Sequence, residues 1–321
     1  MEKFVNRYSD ILEEAFGAFS HKYPLPTHLY DPVRYILSLG GKRIRPALVL
    51  LAADSFGCPV KKALPAALAI EVFHNFSLVH DDIMDRAPLR RGHQTVHCRW
   101  DENTAILSGD VMMIQAYELF ENYTGDDFRR IVLAFNKVAR LVCEGQQLDM
   151  DYEKEDRVSL EQYIGMIRLK TAVLIAGALK IGGIVAGASE EELEVLYDFG
   201  INIGLAFQLT DDYLDTFGNQ DTFGKRIGGD ILEGKKTFLY IIAREKVSEE
   251  EFEKAFSISA ESEKIEAVRT LYIRAGADKE LEDAIAGFTK KALGCVSRLP
   301  FSQEFREHYL SLARSLVARK L

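Results

Sequence analysis

Apolar residues recur at helical spacing along nearly the whole of this 321-residue chain, and no segment alternates apolar and polar residues over a strand's length. An all-α fold is the expectation. Expected helices cover about 2–21, 31–38, 44–56, 60–85, 101–123, 126–150, 159–187, 189–217, 234–246 and 249–257, with three more to the end. Ser159 with Gln162, Ser189 with Glu192, and Ser248 with Glu251 have the spacing of capping boxes at three of these starts. No linker, low-complexity tract or short-period repeat divides the sequence, so one domain spanning residues 1–321 is expected.

The chemistry concentrates where two of these helices end. Residues 76–92 read F-S-L-V-H-D-D-I-M-D-R-A-P-L-R-R-G. Asp81 and Asp85 are four apart and project from one face of a helix end. Two like charges held that close repel, and a divalent cation resolves the conflict. Carboxylate oxygens suit magnesium, which binds one or two of them together with substrate phosphates. Arg90 and Arg91 then read as phosphate clamps. A single D-D-x-x-D reads equally as a solvated helix terminus, but the pattern returns as Asp211, Asp212 and Asp215 in F-Q-L-T-D-D-Y-L-D, followed by Lys225 and Arg226.

Other segments gain meaning beside these clusters. Gly40-Gly41-Lys42-Arg43-Ile44-Arg45 lies between helices, where glycines admit an anion close to the backbone and Lys42 and Arg45 converge on it; alone, it would be a solvated basic turn. His74 precedes Asp81 by about two turns, on roughly the same side, and reads either as a core histidine or as a substrate contact. The polar end of helix 126–150, E-G-Q-Q-L-D-M-D-Y-E, is a solvated terminus or a pocket lip. Lys170-Thr171 interrupts an apolar helix, where a buried ammonium is costly unless it is paired or faces a cavity. Gln208 leads along its helix to the second carboxylate cluster. Asp221 to Thr237 carries four glycines with Lys225 and Lys235, a loop able to fold over an anion or a plain surface connection.

A net charge of −9 argues against nucleic acid as partner, whereas local basic clusters in an acidic chain fit a small polyanion with a metal. Four widely spaced cysteines, 58, 98, 143 and 295, indicate a reduced intracellular setting. The polar N-terminus has no signal-peptide pattern, and the cytoplasm is the expected location. Thr171 to Ser189 is the most membrane-like stretch, but Lys180 interrupts it and Gly182-Gly183 weaken it, so a buried helix is expected and no integral membrane segment.

The segments G-G-K-R-I-R-P, D-D-I-M-D with R-R-G, K-T, F-Q-L-T-D-D-Y-L-D and G-K-R-I-G-G-D occur in the order of the trans-isoprenyl diphosphate synthases, which the chain resembles over nearly its whole length. That resemblance implies a helical bundle around a deep central cavity, the aspartate clusters facing each other across its mouth, and a homodimer. It implies that Lys42, Arg45, His74 and Arg91 hold isopentenyl diphosphate. Asp81, Asp85 and Asp211 would ligate magnesium that grips the allylic diphosphate, supported by Asp82, Asp212 and Asp215. Arg90, Lys170, Lys225 and Lys235 would contact that diphosphate, with Thr171 and Gln208 beside the carbocation. A terpene cyclase would share D-D-x-x-D but needs no G-G-K-R-I-R segment, and a non-catalytic partner subunit would lack some of the matched residues.

Product length rests on Phe76, five residues and roughly 7.5 Å of helix rise before Asp81. Five steps of roughly 100° turn it off the face of Asp81, so helix geometry alone does not put it in the pocket and it could equally be core. Within the family, an aromatic at this position beside a small residue, here Ser77, resembles a short-to-medium-chain pattern. Geranylgeranyl diphosphate is the expected product, with farnesyl or a longer polyprenyl diphosphate as alternatives.

Overall fold

A computed structural model describes residues 2–218 and 227–317, with side chains from residue 7 onward. Helices run α1 (Glu2–Ser20), α2 (Thr27–Ser38), α3 (Ile44–Ser55), α4 (Val60–Met84), α5 (Val96–Arg99), α6 (Glu102–Phe120), α7 (Gly125–Lys154) and α8 (Leu160–Ile167). A π-helical turn, Arg168–Ala172, leads into α9 (Val173–Ala186) and α10 (Glu190–Phe217). After these come α11 (Gly229–Glu233), α12 (Phe238–Lys246), α13 (Glu249–Phe256), α14 (Glu261–Ala275), α15 (Ala277–Val296) and α16 (Gln303–Val317). The all-α expectation holds. Among the described residues the departure is one hairpin, β1 (Leu89–Arg90) with β2 (His93–Gln94), too short for alternation to announce it.

Two compact units form. One gathers residues up to 138 with 174–197 and 301–305. Its central helix is α4, where Ala63, Ala66, Ala67, Ala69, Ile70, Val72 and Phe73 are all buried. Apolar residues on every side of a helix require neighbours on every side, and α3 and α6 pack against it. The ring of Phe135 lies 5.2 Å from Phe73, 5.2 Å from Tyr117 and 5.0 Å from Phe120, knitting α4, α6 and α7.

The second unit gathers residues 139–173, 198–300 and 306 onward. Ser159 and Gln162 form both halves of the expected capping box at the start of α8. The stretch Leu160–Ala186 is long and apolar enough to cross a membrane by length and composition, but 78% of its most apolar window is buried. Its lipid-like character is therefore that of core, as expected.

Candidate active site

In the first unit the chemistry begins where α4 stops. The Arg86 amide donates to the Ile83 carbonyl and the Ala87 amide to the Asp82 carbonyl, a Schellman ending in which Arg86 takes the left-handed position at φ 51°. Asp81, Asp82 and Asp85 thus sit at the negative end of a 25-residue helix. Carboxylates there are opposed by the helix dipole, and a cation is favoured. The three do not behave alike. Asp82 is buried, and Arg90 grips both its oxygens, Nε to Oδ1 at 2.8 Å and to Oδ2 at 2.9 Å. Burial raises the Asp82 carboxyl pKa, and the Arg90 bonds pull it back. Asp85 is exposed and Asp81 half-buried.

The hairpin presents Arg91. Its two-residue turn, Arg91-Gly92, has φ 54° and 79°, the type I′ geometry that matches strand twist. The Arg91 guanidinium donates to the Gly40 carbonyl, beside Gly41, whose φ of 130° favours glycine. Arg45 Nη1 meets His74 Nε2 at 3.0 Å. Burial, then the guanidiniums of Arg45, Arg91, Arg90 and Arg43, hold the His74 imidazole well below the usual histidine range. His74 is therefore neutral and accepts from Arg45. Behind them Arg43 pairs with buried Glu71 at 2.8 Å and lies over the Phe16 ring at 4.5 Å, bracing the loop. The described non-glycine residues with positive φ are Arg43, Arg86 and Arg91. Arg45, His74 and Arg91 are thus brought together with the Gly40-Gly41 backbone, while Lys42 is exposed. Sequence reasoning missed the bracing role of Arg43 and Glu71, 28 residues apart.

Phe76 is half-buried, its ring 5.5 Å from Phe73 and 4.7 Å from His80. Ser77 Oγ donates to the His74 carbonyl at 2.8 Å.

The second unit holds a cavity of about 130 Å³, lined by Lys170, Thr171, Gln208, Asp212 and Lys235 among others. Lys170 and Thr171 lie on the π-helical turn, a feature frequent at functional sites. Lys170 Nζ donates to Asp149 Oδ2 at 2.5 Å, which places the polar end of α7 as a pocket lip. Thr171 Oγ1 donates to Gln208 Oε1 at 3.0 Å, and Gln208 Nε2 donates to Asp212 Oδ1 at 3.0 Å. The buried Tyr163 hydroxyl donates to Asp212 Oδ2. Burial, with Asp230 and Asp211 adding to it, pushes the Asp212 carboxyl up to about 8 against the Tyr163 and Gln208 bonds.

Asp215 plays a different part from its neighbours: its Oδ2 accepts the Asp230 amide at 3.0 Å at the start of α11. Lys235 pairs with Glu233 at 2.9 Å and lies 3.9 Å from Asp230; burial lowers its pKa, but these carboxylates outweigh burial and raise it. Asp211 is half-buried on the last two turns of α10. Lys225 and Arg226 lie outside the described residues. No group of three or more His, Cys, Asp or Glu among the described residues forms an all-protein metal cage.

This geometry has known counterparts. Residues 26–274 match polyprenyl synthetase. The chain belongs to the polyprenyl synthetase family. A relative in that family, geranylgeranyl diphosphate synthase of Methanosarcina mazei, is 43% identical over 249 residues, 77% of this chain and 76% of that protein. A crystal structure of a geranylgeranyl pyrophosphate synthase superposes with TM-score 0.93 at 45% identity, covering 100% of this chain and 99% of that one. Another family member, the Corynebacterium glutamicum geranylgeranyl pyrophosphate synthase complexed with isoprenyl diphosphate and magnesium, gives TM-score 0.87 at 28% identity over 100% of this chain and 99% of that one.

Proposed function

We propose that this polyprenyl synthetase joins an allylic diphosphate head-to-tail to isopentenyl diphosphate and releases geranylgeranyl diphosphate. The observation that carries the reading is the convergence of Lys170, Thr171, Gln208, Asp212 and Lys235, drawn from three separate stretches of sequence, on one cavity. Lys42, Arg45, His74 and Arg91 bind isopentenyl diphosphate, the neutral imidazole orienting the Arg45 fork rather than adding charge.

Asp81 and Asp85 in the first unit, and Asp211 in the second, each offer hard carboxylate oxygens of the kind that bind magnesium together with substrate phosphates. Magnesium held by these carboxylates would supply neutralisation of the departing diphosphate. The ammonium groups of Lys170 and Lys235 stabilise the remaining negative charge as the allylic C–O bond breaks. Thr171 and Gln208 offer oxygen to the allylic cation. The isopentenyl alkene attacks that cation to form the new C–C bond, and the adduct loses a proton to the released diphosphate.

The chain acts as a cytoplasmic homodimer in this reading. All four cysteines are free, two of them exposed, which suits a reducing compartment. Leu107 and Ile114, seven apart on α6, and Leu133 on α7 are exposed apolar side chains that a second copy can cover.

Incubating purified protein with magnesium, isopentenyl diphosphate and dimethylallyl, geranyl or farnesyl diphosphate should give a twenty-carbon product from each primer. Absence of elongation from all three would overturn the assignment. Phe76→Ala, removing a half-buried ring, should shift products to longer chains by one or more five-carbon units, read by chromatography of the dephosphorylated alcohols. An unchanged distribution in a folded variant would place the chain-length floor elsewhere.

A further inference from the structure

The Phe76 ring is held along α4 by two neighbours of different kinds. Phe73, three residues earlier, lies 5.5 Å away, is fully buried and meets the Phe135 ring at 5.2 Å, so close packing of the core keeps it in place. His80, four residues later and so on the same face of the helix, meets Phe76 at 4.7 Å with the rings 64° apart. What holds His80 is the neighbouring helix α6. A carbonyl only accepts, so at 3.2 Å from the Ile106 oxygen the His80 Nε2 carries the hydrogen, in either charge state of the ring. Gly109, buried on α6, makes room for that ring: an added Cβ would lie 2.2 Å from Nε2 and 2.5 Å from Cδ2, so any larger residue there evicts the imidazole. Glycine inside a helix is unfavourable relative to alanine, and a seat for His80 is what its missing side chain provides.

We infer that His80 is a positioning residue for product length: seated against Gly109 and bonded to the Ile106 carbonyl, it holds the Phe76 ring where that ring limits the growing chain. The inference rests on the chain-length role proposed above for Phe76. Without the imidazole, Phe73 keeps its place in the core, but Phe76 loses the neighbour on its other side along α4 and swings into the emptied space, opening the path it obstructed. Because the effect passes through Phe76, it belongs to the distribution of product lengths and not to the rate alone, and it vanishes where the Phe76 ring is already gone.

The test compares product lengths, by chromatography of the dephosphorylated alcohols at matched primer consumption, in wild type, His80→Ala, Phe76→Ala and the double variant. In His80→Ala the ratio of longer products to the main wild-type product should rise ~3- to 10-fold, the worth of one ring contact. Adding His80→Ala to Phe76→Ala should leave the distribution within ~2-fold of Phe76→Ala alone. If Phe76→Ala lengthens the products and folded His80→Ala does not, the inference fails by itself; a loss of turnover with an unchanged distribution counts the same way and makes His80 merely structural. Lengthening in the double variant as large as that in His80→Ala alone would show that His80 acts independently of Phe76 and would also overturn the inference. Products unchanged in Phe76→Ala would refute the role of Phe76 and the inference with it. Should His80→Ala fail to fold, Gly109→Ala evicts the same ring from the side of α6 and should raise the same ratio, and an unchanged ratio in that folded variant refutes the inference.

Discussion

Asp81→Ala and Asp85→Ala are expected to lower turnover by ~10³-fold or more while leaving the melting temperature within a few degrees of wild type. Both carboxylates stand at the negative end of α4 and neither is fully buried. Removing negative charge there relieves an unfavourable dipole interaction of about 0.3–1 kcal/mol, so the fold should not suffer. Asp82→Ala should behave in the opposite sense. It leaves Arg90, only 25% exposed, without the carboxylate that now grips it, and should cost about 2–3 kcal/mol. Circular dichroism melts beside a product assay separate the two behaviours. Near wild-type activity in both Asp81→Ala and Asp85→Ala would sink their assignment as metal ligands.

The second large effect is expected from a residue with no chemistry of its own. A Cβ on Gly145 would lie 2.3 Å from the Lys170 nitrogen, 2.6 Å from the Leu169 carbonyl carbon and 2.7 Å from the Lys170 Cα. All three are backbone atoms of the segment leading into and forming the π-helical turn, so no rotamer change relieves the clash. Asp149 lies one turn beyond Gly145 on the same face of α7, and that close approach lets it reach Lys170 Nζ at 2.5 Å. Gly145→Ala should destabilise by about 1–3 kcal/mol and reduce kcat/KM for the allylic substrate by ~10-fold or more. Gly287→Ala on α15, where an added Cβ meets nothing within 4 Å, should be neutral or stabilising by up to about 1 kcal/mol. Equal melting temperatures for the two variants would show that α7 moves away from the turn at little cost.

Helical periodicity carried most of the fold because helices bury stripes or whole surfaces that a 3.6-residue repeat records. Local chemistry carried several ends: Ser159 with Gln162 and Ser189 with Glu192 make both bonds of their boxes, whereas at Ser248 only the Glu251 amide donating to its hydroxyl is seen. The expected helix 101–123 begins at Glu102, since Asp101 accepts the Thr104 amide at 2.9 Å and caps it, and the residues before it form the separate α5. Expected helix 234–246 begins instead at Phe238, because Gly234 takes a left-handed conformation that ends α11 and Thr237 stands at the N-cap of α12.

The candidate site was legible where a motif is contiguous, as in the aspartate clusters and Lys170-Thr171. It was illegible where partners meet only through packing. Nothing in the sequence ties Tyr163 to Asp212, 49 residues away, or Lys170 to Asp149. Nor does spacing distinguish three similar aspartates: burial gives Asp82 to Arg90, Asp212 to Tyr163 and Gln208, and helix capping gives Asp215 to the Asp230 amide. Arg90 and Arg91 read alike as phosphate clamps, yet the hairpin turns one toward Asp82 and the other toward Gly40.

In the proposed reaction Asp81, Asp85 and Asp211 reach the allylic diphosphate only through magnesium. Calorimetric titration with a non-hydrolysable allylic diphosphate analogue, once in magnesium and once in excess EDTA, tests it directly. Bare carboxylates repel a diphosphate, so affinity should fall by ~100-fold or more when the metal is removed. Undiminished affinity in EDTA would contradict the claim.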